Sequence, residues 1–127
     1  MATRKKSSTY SINEQFVIAC DLSYTINKIG GRWKMQILGR LQERRYRFSE
    51  FKKEFSFISE RMLSSQLQAL EQDGLVKRRV YAEVPPRVEY ELTPLAQELS
   101  PILQKLSEWG RKHKKVHLKT TDGVLKD

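Results

Sequence analysis

The feature that most restricts the fold is a change of hydrophobic period past the middle of the chain. Met62, Leu63, Leu67 and Leu70 recur at the three- and four-residue spacing of one helix face. Ser59 stands where an N-cap belongs, and Asp73-Gly74 where a helix stops. The period then drops to two. Val76, Arg78 and Val80 alternate with Lys77, Arg79 and Tyr81. Beyond a short loop holding Pro85-Pro86, Val88, Tyr90 and Leu92 alternate with Arg87, Glu89 and Glu91. Two alternating runs joined by a short loop predict a β-hairpin.

Three helical segments precede this unit. Leu22, Ile26 and Ile29 form one stripe, interrupted at Gly30-Gly31, where positive φ is expected. Trp33, Ile37, Leu38 and Leu41 form the next. Residues 42–47 are polar and read as a loop. Ser49 is expected to cap a short helix with Phe51 and Phe55 on its apolar side and Phe48 just before it. Ser56-Phe57-Ile58 is a short connection. After the hairpin, Thr93-Pro94 opens a last helix whose stripe is Leu95, Leu99, Ile102, Leu103, Leu106 and Trp109. Pro101 removes one hydrogen bond within that stripe and predicts a kink. Cationic residues from Arg111 onward read as a fraying end. At 127 residues the chain is one domain with enough length for its own core. The reading is a basic arm over 1–13, a domain over 14–113 and a basic tail over 114–127.

Lys and Arg number 24 against 15 Asp and Glu, a formal charge of +9. This points to a polyanionic partner, nucleic acid or an acidic membrane surface. The longest apolar run, Phe16 to Cys20, is far short of a bilayer span, so no membrane is expected. No charged-then-apolar segment opens the chain, and a cytoplasmic location is expected. The single cysteine, Cys20, excludes an intrachain disulfide scaffold and a multi-cysteine zinc site. His113 and His117 have metal-pair spacing, but lysines surround them and no third ligand is near, so a solvated tail is the expectation and no metal is assigned. No phosphate-cradling glycine motif, nucleotide fingerprint or catalytic triad is present. No cofactor and no enzymatic activity are expected.

The element order, three helices with a short turn before a fourth, then a hairpin and a last helix, is that of a winged helix-turn-helix. The fold class is mainly α with a small β-hairpin, a winged helix-turn-helix with flanking N- and C-terminal helices. A helix seated in the major groove must offer hydrogen-bonding groups to base edges. Opposite the Leu63 stripe lie Glu60, Arg61, Ser64, Ser65 and Gln68. Arg61 suits a guanine edge or a phosphate and Gln68 an adenine, while Ser64 and Ser65 allow close approach. Ser49, Lys52 and Lys53 are suited to gripping phosphates, and Ser59 is a further DNA-binding candidate. Lys77, Arg79 and Arg87 belong to the wing. Arg87 is a candidate for the minor groove, its alternative being a strand-end ion pair to Glu89 or Glu91. The partner expected is double-stranded DNA, read by a regulator selective for sequence. An architectural or RNA-binding winged helix without sequence choice is the competing reading.

One such helix reads only a few base pairs, whereas a two-fold dimer spaces two of them about 34 Å apart, one turn of DNA. A homodimer is therefore expected. Leu99, Ile102, Leu103, Leu106 and Trp109 are its candidate contacts, with packing inside the monomer as the alternative.

These stretches resemble the HxlR-type family of bacterial winged-helix regulators. The likeness is carried by CDLSYTINKIGGRWKMQIL (Cys20 to Leu38), RFSEF (Arg47 to Phe51), ISERMLSSQLQALEQDGLV (Ile58 to Val76), VYAEVPPRVEYELTPL (Val80 to Leu95) and Trp109-Gly110. The resemblance implies a homodimeric transcriptional regulator, dimerised through its terminal helices, on a roughly palindromic operator. Some members answer thiol-reactive stress through a cysteine near the N-terminus, which makes Cys20 the candidate sensor. Where family members often carry proline after that cysteine, this chain has Asp21. The chemistry needs a partly exposed thiolate stabilised by cations or a helix start. Lys28 and Arg32 are near in sequence, and Asp21 opposes them. A small core residue is the alternative role for Cys20.

Overall fold

The structure, a computed structural model, describes residues 9–121, with side chains described over 13–118. Helix α1 (Thr9–Ala19) and α2 (Asp21–Ile29) meet at Cys20. The described chain is therefore already helical at Thr9, inside the segment read as an arm to residue 13. No Gly or Pro interrupts 9–19, so a helix formed there propagates back without a breaker. Residues 1–8 of that arm and 122–127 of the tail lie outside the described residues.

Gly30 ends α2 with its N–H on the Ile26 carbonyl at 2.6 Å. A Cβ at Gly30 would stand 2.3 Å from that oxygen. The positive φ, +107°, falls on Gly31. Helix α3 (Arg32–Leu41) then buries Ile37, Leu38 and Leu41, while Trp33 packs on Phe55 and Phe57 at ring separations of 6.5 and 5.4 Å.

The polar segment 42–47 is not wholly loop. Tyr46–Arg47 forms a short strand, β1, because Tyr46 is a core residue. Its ring stacks on Phe51 at 4.7 Å, and its hydroxyl donates to Glu54 at 2.7 Å. Arg40 donates to the other oxygen of Glu54, also at 2.7 Å, tying α3 to the next helix. That helix, α4 (Phe48–Glu54), is not capped by Ser49. Arg47 holds the N-cap position, and the Glu50 carboxylate, three residues on, accepts its backbone N–H at 2.8 Å. This bond lowers the Glu50 pKa, and Arg44 assists against the opposing cost of burial. Glu50 thus supplies the reciprocal half of a capping box, satisfying the N–H of the N-cap residue itself.

Helix α5 (Glu60–Gln72) follows a turn through Phe55–Ser59. Ser59 is its N-cap, its hydroxyl accepting the Met62 N–H at 3.0 Å. Leu63, Leu67 and Leu70 are buried as expected. Met62 is not, being 42% exposed. Consecutive helical residues lie about 100° apart, so an inward axis centred on Leu63 and Leu67 turns Met62 to the margin. Gly74, with φ +74°, releases the chain into the sheet.

Strands β2 (Val76–Tyr81) and β3 (Arg87–Leu92) form the hairpin, with Val76 opposite Leu92 and Tyr81 opposite Arg87. Strand β1 adds to the far edge of β3, with Tyr46 opposite Tyr90, in the order β1-β3-β2. The inner face supplies Val76, Tyr90 and Leu92 to the core.

The predicted kink at Pro101 is a break. Helix α6 (Pro94–Gln97), capped by the Thr93 hydroxyl, ends in a turn at Glu98-Leu99, and α7 (Ser100–Thr121) starts afresh. Pro101 lies in the first turn of α7, where a missing N–H costs no helix bond. Helix α7 continues past the expected boundary at residue 113. Lys and Arg are good helix formers, and their charges favour the carboxyl end of a helix.

Candidate nucleic-acid interface

Helix α5 turns its apolar side into the core through three leucines, which fixes what it turns outward. Glu60, Arg61, Ser64, Ser65 and Gln68 are all exposed. None of these side chains has a hydrogen-bond or ionic partner among the described residues. In a chain whose other arginines are largely paired, a half-turn of unengaged polar groups on a firmly packed helix is the arrangement base-edge reading requires.

The three predicted phosphate-gripping residues and Ser59 differ in placement. Ser49 and Lys53 are exposed on α4. Ser59 is exposed, but its hydroxyl already caps α5. Lys52 is half-buried, and its ammonium donates to the Ile58 carbonyl at 2.8 Å. Its charge is directed into the turn between the helices.

In the wing, Lys77 is exposed. Arg79 is engaged with Glu91. Arg87 does not extend from the wing. It lies 3.3 Å from Glu83 and 3.3 Å from Glu89, with its guanidinium 4.1 Å from the centre of the Tyr81 ring. The ion-pair alternative is the one adopted, to Glu89 as considered and to Glu83 as well. Arg45 also reaches Glu91, at 3.1 Å, and Arg47 stands 3.9 Å from Glu89. Two carboxylates on the outer face of β3 thus gather arginines from both neighbouring strands. The Glu91 carboxyl is held below its usual range, first by the Arg79 hydrogen bond, with burial opposing. The period-two pattern already placed Arg79, Glu89 and Glu91 on one face, so this lattice was within reach of sequence. The contributions of Arg45 and Arg47 were not, because β1 was unrecognised. A cleft of about 480 Å³ separates the wing loop from the start of α4, with Arg47, Ser49 and Arg87 on its walls.

The candidate dimer contacts divide into two sets. Leu99 and Leu103 are half-buried and pack in part against the core of the same chain. Ile102, Leu106 and Trp109 remain exposed, Trp109 by 65%. Phe16, Leu22 and Ile26 on α1 and α2 are exposed as well, Phe16 and Leu22 by 72% each. The His113 ring stacks on Trp109 at 5.0 Å. No cluster of three or more potential metal ligands occurs among the described residues. No helix among them is long and apolar enough to cross a membrane.

Cys20 is partly exposed at the N-cap of α2. Its pKa is lowered, chiefly by the Ser23 side chain and next by the Ser23 backbone N–H. Burial and the Asp21 charge oppose the shift, and the Leu22 N–H adds to it. The stabilisation of the thiolate comes from the helix start, and Lys28 and Arg32 are not among its causes.

A short-turned helix pair that presents one polar face beside a three-stranded wing defines a winged helix-turn-helix DNA-binding protein. The chain belongs to the HxlR-like helix-turn-helix family, whose profile matches residues 28–118. It is 40% identical over 114 residues to the uncharacterized HTH-type transcriptional regulator YdeP of Bacillus subtilis, covering 90% of this chain and 88% of the relative. It is 53% identical over 91 residues to the uncharacterized HTH-type transcriptional regulator BH0655 of Halalkalibacterium halodurans, covering 71% and 80%. Among solved structures, the redox regulator HypR in its reduced form superposes with a TM-score of 0.73 at 40% identity, covering 76% of this chain and 96% of that one. The chain is a transcriptional regulator with a helix-turn-helix domain.

Proposed function

We propose that this regulator reads a specific double-stranded DNA sequence as a homodimer on a roughly palindromic operator. The observation that carries the reading is the exposed, unengaged face of α5 formed by Arg61, Ser64, Ser65 and Gln68. Lys53 and Lys77 supply sequence-independent grip on phosphates. The exposed apolar residues of α1, α2 and α7 support dimerisation. Repression through operator occupancy is the simplest mode for a one-domain regulator.

The test is selection of a preferred duplex from a randomised pool, followed by competition with random duplex and RNA. Selectivity of about 10³-fold or more over random duplex is expected. Equal affinity for all competitors would instead support the non-selective reading. Replacing Arg61 or Gln68 by Ala should cost roughly 1–3 kcal/mol on the selected site and relax preference at one base pair.

Cys20 is the proposed point of response to thiol-reactive stress. Its thiolate-stabilising position supports this, as does the similarity to a redox regulator. Diamide is expected to change operator affinity in the wild type and to leave Cys20→Ser unaffected. Gel-shift titrations of both proteins, with and without diamide, read the difference, and equal loss in both would remove Cys20 from the response.

A further inference from the structure

Lys52 and Lys53 are neighbours on α4 and look alike in sequence, as two cations ahead of a recognition helix. The structure separates them. Lys53 is exposed, whereas Lys52 is half-buried with its ammonium 2.8 Å from the carbonyl oxygen of Ile58. That carbonyl belongs to the last residue before the Ser59 N-cap. The Ile58 side chain is buried, and its N–H is bonded to the Phe55 carbonyl at 3.1 Å. The turn is therefore held at Ile58 in three ways, through side chain, amide and carbonyl, and Lys52 provides the third. This bond links the body of α4 directly to the threshold of α5. Hydrogen bonds from charged donors are among the stronger ones, and an abandoned carbonyl in a half-buried turn is costly.

We infer that Lys52 is a positioning residue for DNA reading: it sets the pose of α5 by bracing the Ile58 carbonyl and is not a phosphate contact. The inference rests on the DNA-reading function proposed above. The consequence is a division between the two lysines. Loss of a phosphate contact weakens binding to every sequence and flattens the dependence of log affinity on log salt by about 0.9 per contact. Loss of a brace leaves the charge–phosphate count alone. It misplaces the base-reading groups, so it removes preference for the selected site while sparing random duplex.

Lys52→Met keeps the length of the apolar stem and removes the donor. Lys52→Arg keeps a donor of similar reach. Lys53→Met serves as the phosphate-contact comparison. On the selected duplex, Lys52→Met is expected to lose roughly tenfold or more in affinity, the range of one charge-assisted hydrogen bond. Its affinity for random duplex and its salt slope should match wild type, and Lys52→Arg should recover part of the loss. Lys53→Met should weaken both duplexes and lower the slope by about 0.9. If Lys52→Met instead weakens both duplexes and flattens the slope, Lys52 is a phosphate contact and the inference fails while the DNA-reading function stands. If wild-type protein shows no preference among duplexes, the DNA-reading function fails and takes the inference with it. Amide hydrogen exchange on the free proteins adds an arm that needs no DNA. Lys52→Met should speed exchange over 55–62 and leave α3 unchanged, whereas unchanged exchange in that segment would overturn the brace.

Discussion

The double variant Leu106→Asp, Trp109→Asp is expected to be a folded monomer that has lost at least about a hundredfold in affinity for its selected duplex. Both side chains are exposed on α7, Leu106 by 42% and Trp109 by 65%, so their replacement costs the core little. Monomeric soluble proteins seldom leave so many large apolar side chains in water along adjoining helices. Two charges per subunit, doubled by a two-fold axis, would place four carboxylates in a low-dielectric contact. The expected loss in DNA binding follows from valency. When one half-site is occupied, the second subunit binds as an intramolecular event, and linkage of this kind contributes about 10²- to 10⁴-fold. Sedimentation velocity gives the mass and gel-shift titration the affinity. A variant that remains dimeric would move the interface away from this part of α7. A variant that becomes monomeric yet binds as before would show that one subunit suffices.

Phe51→Ala is expected to be the most damaging single change to stability, at about 3–5 kcal/mol. Phe51 is completely buried, and aromatic rings lie on several sides of it. Tyr46 stacks at 4.7 Å, Phe55 at 6.0 Å, and Tyr90 meets it obliquely at 6.4 Å. These neighbours come from β1, the helix-turn and β3, so a cavity at Phe51 loosens wing and helix pair together. For a domain of this size the corresponding fall in Tm is on the order of 10 °C or more. Urea unfolding followed by circular dichroism measures the change. A cost below about 1 kcal/mol would mean that the surrounding rings collapse into the space, and that the aromatic cluster is not the joint between wing and helices.

Much of this fold was legible because the periods were clean. The spacing of Leu63, Leu67 and Leu70, the Ser59 cap, the Gly74 stop and the alternation of β3 each report a local physical requirement that the structure meets. What remained hidden depended on contacts distant in sequence. Tyr46 lies among arginines and gives no strand signal of its own; only the ring of Phe51 and the backbone of Tyr90 make it a strand. Ser49 resembled a cap because serine often is one, yet α4 starts at Phe48 and leaves Ser49 inside its first turn, with Glu50 holding the N–H of Arg47. Leu99 and Leu103 share a stripe with Ile102 and Leu106, and periodicity cannot tell which side of that stripe meets its own core. The candidate interface shows the same division. The face of α5 could be read from helical geometry alone. The state of Lys52 could not, because it is decided by the Ile58 carbonyl beyond the turn; for Arg87 the pair to Glu89 was one of two open readings, and Glu83 of the wing loop joins it.

The joint at Gly30 bears on how far apart two reading heads can sit. Helices α1 and α2, which bear exposed apolar surface, connect to the rest of the molecule through Gly30, whose N–H donates to the Ile26 carbonyl and where a Cβ would stand 2.3 Å from that oxygen. An added carbon would push against the last turn of α2 itself and change the direction in which the chain leaves it toward α3. In a two-fold assembly that small wedge would act through a long lever, changing the span between the paired major-groove probes and so the number of base pairs a matched site must have between its halves. On the proposed two-fold operator, the absence of a side chain at Gly30 would then bear on the spacing of the half-sites.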